Sequence, residues 1–253
     1  MIGLFSAKPP VPRDEYEWLV ACFAWLRTVL DDADIRPALV CPSDQRLQAA
    51  STGEELFDAV RQIADMGDWS CRLEMVPEDF DPGDGQLEHE STSACGTFSI
   101  EGGEAVIRYS ANMLRNPDAL AATFAHELCH FLLAGAGDPP GGPDLMEHST
   151  DCAAAYLGFG ILLANSARTF ETWGDGQFSG WRHSTAGYLS EPALVTATAL
   201  FAQLHGHSLD AARGELKPYL RRDLDKANKA VARDFPDLAD HLKTVDLLDW
   251  QFA

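Results

Sequence analysis

The chain has 253 residues, 46% of them hydrophobic, and its 39 acidic against 19 basic side chains leave a formal charge of −20. That is ample apolar mass for a real core, while the negative surplus repels nucleic-acid phosphates and anionic membranes, so neither is expected as a partner. No basic segment followed by an apolar run opens the chain and no apolar stretch is long enough to span a bilayer, so a soluble, cytoplasmic protein is expected.

In chain order, Asp14 to Leu30 reads as an amphipathic helix whose Trp18, Leu19, Cys22, Phe23, Trp25 and Leu26 belong to the core. Thr52, three residues before Glu55, is a capping-box signal for a helix from Glu55 to Ala64. Cys71 to Val76 alternates as a strand does. Pro77 to Glu90 reads as an acidic surface loop, whose Glu78, Asp79, Asp81 and Asp84 lack the spacing of a calcium loop. Gly96 to Ile100 and Ala105 to Tyr109 flank Glu101-Gly102-Gly103-Glu104, a hairpin signal. Asn116-Pro117-Asp118 then supplies an N-cap, a first-turn proline and an acid at the positive end of a helix. That helix runs through His126-Glu127-Leu128-Cys129-His130 to Leu133, where Gly135, Gly137, Pro139 and Pro140 stop it. Leu145 to Gly158 reads as a second helix, and Asn165 to Gly187 as an aperiodic segment rich in aromatics and glycines. Ser190 caps a helix to about His205, ended by Gly206, and mixed-charge sequence from Leu209 onward reads as one or two surface helices. His205 and His207 face different ways and read as surface residues.

The chemistry concentrates in the two middle helices. Two histidines four residues apart, His126 and His130, point from one helical face toward a single metal ion, and Glu127 between them lies where a general base would meet a metal-activated water. On the next helix Glu147 and Asp151 are spaced i, i+4 and share a face that continues through the small residues Ala154, Ala155 and Gly158. Such a face would let the second helix come close enough for a carboxylate to reach the metal, and two histidines with one carboxylate leave a fourth position open. The six cysteines show no CxxC or CxC spacing; Cys129 and Cys152 read as small apolar residues of the two helices, with a Cys129 thiolate ligand the alternative.

Over residues 117 to 158 the chain resembles the gluzincin branch of the HExxH zinc metallopeptidases. The resemblance implies His126, His130 and Glu147 as ligands of one Zn2+, Glu127 as base, and Asp151 hydrogen-bonded to a ligand histidine. Aspartate-liganded zincins also exist, so Asp151 is the alternative third ligand; Glu147 is preferred because Asp151 then has a second role four residues on. Thr150-Asp151, with Tyr156-Leu157-Gly158-Phe159-Gly160, is also similar to uncharacterised bacterial HExxH proteins. The implied fold is α+β, mainly helical and zincin-like, with a small sheet or hairpin that precedes the metal helix and borders the cleft. It would be one domain over residues 1–253: a helical and strand region 1–90, a metal-site core 91–206 and a helical region 207–253. The implied activity is zinc-dependent hydrolysis of a peptide or protein substrate. A donor to the developing oxyanion is expected from Arg182, His183 and Tyr188, with Tyr188 first and His183 second. Two other classes fit parts of the pattern: a ferrous enzyme with a two-histidine, one-carboxylate site, and a non-catalytic binding or regulatory protein on the same scaffold.

Overall fold

The computed structural model describes residues 8–30, 37–77, 91–92, 96–102, 104–171 and 189–250. Helix α1 (Arg13–Val29) carries Asp14 and Glu15 in its first turn, at the positive end of its dipole. It is less amphipathic than its sequence suggests, because neighbours cover it on several sides: residues 18–26 are all buried, and Trp18, Phe23 and Leu26 are fully so. A single turn, α2 (Gln45–Gln48), precedes α3 (Gly53–Ile63). The Thr52 side chain accepts the Glu55 amide at 3.1 Å, and the Glu55 carboxylate reaches back to the amide of Ser51 at 2.7 Å, one residue further than a regular capping box.

Four strands form one sheet: β1 (Cys71–Val76), β2 (Ser91–Thr92), β3 (Gly96–Glu101) and β4 (Glu104–Ser110), in the order β1-β4-β3-β2. The expected hairpin is β3–β4, antiparallel with Phe98 opposite Ile107, and β1 lies parallel to β4 on its other side. Alternation sends Phe98, Ile107 and Tyr109 to one face, where Tyr109 meets Phe124 edge-on at 5.3 Å. The opposite face carries a charged lattice: Arg108 binds Glu74 at 2.8 Å and also pairs with Glu101, while Arg72 pairs with Glu74 and Glu101.

The remaining helices are α4 (Pro117–Leu133), α5 (Met146–Tyr156), α6 (Gly160–Glu171), α7 (Glu191–His205), α8 (Asp210–Glu215), α9 (Arg221–Asp234) and α10 (Leu238–Leu242). Among the described residues the fold is therefore mainly helical with one small sheet. Helix α4 starts as its sequence requires, with Asn116 Oδ1 accepting the Ala119 amide at 3.3 Å and Pro117 in the first turn. It packs against β3, α3, α5 and α6, and α7 packs against α1, α5, α6, α9 and α10. The connector between α4 and α5 is pinned from outside. Trp18 Nε1 donates to the Pro140 carbonyl at 2.8 Å, and the Gly141 amide donates to the Trp250 carbonyl at 2.9 Å. No helix among the described residues is long and apolar enough to cross a membrane.

Four details depart from the sequence reading. Asn165 to Glu171 is the C-terminal half of α6, because the apolar run Ile161, Leu162, Leu163 carries the helix past the point where polar residues begin; 172–188 lie outside the described residues. Gly158 has φ +97°, and a Cβ there would come within 2.1 Å of the Ala38 carbonyl oxygen, so this glycine serves a crossing with 38–40 and not the approach to α4. The Val40 amide hydrogen-bonds the Gly158 carbonyl at 2.9 Å in the same crossing. His205 and His207 do not diverge to the surface, since both rings lie against Phe201 with centroids 4.9 and 5.3 Å away. The C-terminal mixed-charge region folds as three helices; α9 buries Leu224, Ala227, Ala230 and Val231 and turns its charges outward. The acidic loop within 78–90 and Cys95 lie outside the described residues.

Candidate metal centre

The apolar sequence of α4 lets it run through the interior, with Ala119, Ala122, Phe124, Leu128 and Cys129 essentially inaccessible. That places His126 and Glu127 inside the protein, the first 3% exposed and the second not at all. His126 and His130, one turn apart, turn the same edge outward from the helix, and their Nε2 atoms stand 3.1 Å apart. From α5, Glu147 Oε2 lies 3.3 Å from His126 Nε2 and 3.4 Å from His130 Nε2. Among the described residues these three form the one group of potential metal-ligand side chains within mutual reach.

The triangle has a simple chemical reading. Two imidazole nitrogens and a carboxylate oxygen each offer a lone pair, and crowding three lone pairs is unfavourable unless a proton or a cation lies among them. Zinc bonds of about 2.0–2.1 Å at tetrahedral angles set neighbouring donor atoms about 3.3–3.4 Å apart. Two of the observed edges, 3.3 and 3.4 Å, lie at that spacing, and the third, 3.1 Å between the two histidines, is slightly shorter. The donor set of two nitrogens and one oxygen suits zinc and also ferrous iron. Glu147 is a third exposed while the two histidine side chains are nearly buried, so the cluster opens to solvent on the carboxylate side.

Asp151 is committed elsewhere. Its Oδ1 accepts His126 Nδ1–H at 2.9 Å, and its Oδ2 accepts the backbone amide of Leu189 at 2.8 Å. Both oxygens are thus used behind the imidazole, on the side away from Glu147, and the hydrogen bond at Nδ1 leaves the Nε2 lone pair facing the cluster. Of the two acids considered from sequence, Glu147 is the one that reaches both histidines. The charges respond to this arrangement. Burial works to lower the pKa of His126, but hydrogen bonds to Asp151 and Glu147 outweigh it and hold the ring well above its ordinary value. For Glu147 burial works upward, and hydrogen bonds with His126 and His130 overcome it, leaving the carboxyl well below its usual range. A cation would take over the part those protons play.

Cys129 and Cys152 are fully buried, and burial pushes both thiols up, as befits packing residues of the two helices; Cys129 is not one of the converging donors. Arg182, His183 and Tyr188 lie outside the described residues. Two contacts at the cluster went unread in the sequence. One is the Leu189 amide on Asp151, for which proximity to the Ser190 cap was the only signal. The other is Phe98, whose ring lies against His130 and which only a knowledge of strand register could have placed there. Comparison of the chain with protein-family models, curated proteins and solved structures finds no match, so the reading of this cluster rests on its own geometry.

Proposed function

We propose that the chain is a zinc-dependent metallopeptidase of zincin type, with His126, His130 and Glu147 holding one metal ion and Glu127 acting as general base. The observation that carries this reading is the convergence of three donor atoms, 3.1 to 3.4 Å apart, from the two histidines that flank a buried glutamate and from the next helix. When bound, the ion would polarise the scissile carbonyl and acidify the attacking water. Glu127 would take a proton from that water and return it to the departing amine, which is general base and then general acid catalysis by one carboxylate. Asp151 would keep His126 in one tautomer and one orientation. The sheet supports the same reading, since β3 is the strand beside His130 and its described outer neighbour, β2, is only two residues long. An extended peptide is therefore the proposed substrate class. A buried acid between the histidines has a duty in hydrolysis and none in ferrous oxygen chemistry.

Metal analysis of the purified protein, with peptide-cleavage assays, tests the proposal. Zinc at one ion per chain is expected, lost in His126→Ala, His130→Ala and Glu147→Ala and kept in Glu127→Gln. The last variant should lose cleavage by about 10²- to 10⁴-fold. Full zinc occupancy in His130→Ala, or wild-type cleavage by Glu127→Gln, would overturn it, and iron in place of zinc would move the protein to the ferrous class.

A further inference from the structure

The two histidines of the cluster are held in different ways. His126 has a buried carboxylate at Nδ1, as described, and that hydrogen bond fixes its ring. His130 has no acceptor at Nδ1 among the described residues. Its ring lies nearly parallel to that of Phe98, at an interplanar angle of 16° with centroids 6.2 Å apart, an offset stack. His130 is held inside the cluster at Nε2 alone. The second side-chain torsion of histidine is broad and has no sharp minimum of its own, so with no partner at Nδ1 the plane of the ring is set by what it packs against. Phe98 is suited to set that plane because it is itself fixed. It is 3% exposed, sits in β3 opposite Ile107, and its ring also meets Phe131 with centroids 6.0 Å apart.

We infer that Phe98 is a positioning residue for His130: its phenyl face holds the imidazole in the plane that aims Nε2 at His126 Nε2 and Glu147 Oε2. This rests on the metal-centre reading above. The sheet thereby enters the geometry of the cluster. Sliding β3 by one residue would put Thr97 or Ser99 where Phe98 stands and remove the ring face. The support differs in kind from the Asp151 contact, because a phenyl ring orients the imidazole through its face and makes no hydrogen bond to Nδ1.

The test uses the full chain and zinc itself, titrated against a chromophoric chelator, in wild type, Phe98→Tyr and Phe98→Leu. Leucine fills much of the space but offers no ring face. Zinc affinity should fall about three- to ten-fold in Phe98→Leu and stay within about two-fold of wild type in Phe98→Tyr. In the metal-free protein, the ring-proton resonances of His130 should move in Phe98→Leu as the ring current is lost, while those of His126 stay. Wild-type zinc affinity in Phe98→Leu would overturn the inference, as would an equal loss in Phe98→Tyr. If the wild type holds no zinc, the metal-centre reading falls on that result alone. The resonance arm still decides this point, since unmoved His130 signals in Phe98→Leu would show that the phenyl ring does not set the imidazole plane.

Discussion

In the first turn of α1, Glu15 is 3% exposed, and burial, reinforced by the neighbouring Asp14, pushes its pKa up to about 7 from an ordinary value of 4.5. A folded-state pKa above the unfolded one means that the folded protein binds this proton more tightly. Nothing is lost below about pH 4.5, where both states are protonated; stability then falls as pH rises toward 7, and the full cost is present above it. The shift corresponds to roughly 3 kcal/mol at most. Glu15→Gln removes the titration, so urea unfolding at pH 5 and pH 8 should show a smaller pH dependence and a more stable protein at pH 8. Equal slopes for variant and wild type would mean that the charge is solvated. At this same scale the cluster was largely legible: i, i+4 spacing converts directly into a shared helical face, which is why His126 and His130, and the choice between Glu147 and Asp151, could be framed from sequence. Phe98 and Leu189 could not, because no local spacing says which strand residue or which amide will arrive from 32 and 38 positions away.

Helix starts and stops were legible for a related reason. Caps are local chemistry, and Thr52, Asn116 and Ser190 each accept the amide three residues on. Helix α6 was not read from the sequence, and its C-terminal half was counted with the aromatic, glycine-rich segment from Asn165, when one buried face suffices to carry a helix onward. Strand pairing was half legible. The hairpin is local, whereas the parallel alignment of β1 with β4, Cys71 opposite Ala105, joins segments over thirty residues apart. The link that matters most for Glu147 is also non-local: Trp18 on α1 ties down the Pro140 carbonyl and lies edge-on to His148, the residue after Glu147, with centroids 6.2 Å apart. Trp18→Phe removes the indole donor and leaves a buried carbonyl without its partner, a loss of about 1–3 kcal/mol. A lower urea midpoint with weaker zinc binding is expected. An unchanged midpoint would mean that Trp18 only fills space.

Taken whole, the chain carries −20 while the ion pairs among its described residues are mostly at the surface, where each contributes little. Mutual repulsion among the surplus acids should therefore outweigh the pairs, and salt should stabilise the protein by screening it. Raising ionic strength from about 10 mM to about 150 mM is expected to add about 1 kcal/mol, or roughly 2–4 °C in Tm for a chain of this size. A falling Tm would place the Arg108–Glu74–Glu101 lattice of the sheet above the general repulsion.

Asp151 has one oxygen on His126 and the other on the amide that leads into α7, and α7 touches five other helices. A single carboxylate cannot serve both partners independently, because drawing its charge toward one changes what it offers the other. Thermodynamic reciprocity then makes the coupling run both ways with the same free energy. A cation or proton settling at His126 would bear on the seating of α7, and a shift of α7 would bear in turn on the hold at His126. The site and the helical body answer to each other through four atoms of one side chain and one peptide N–H.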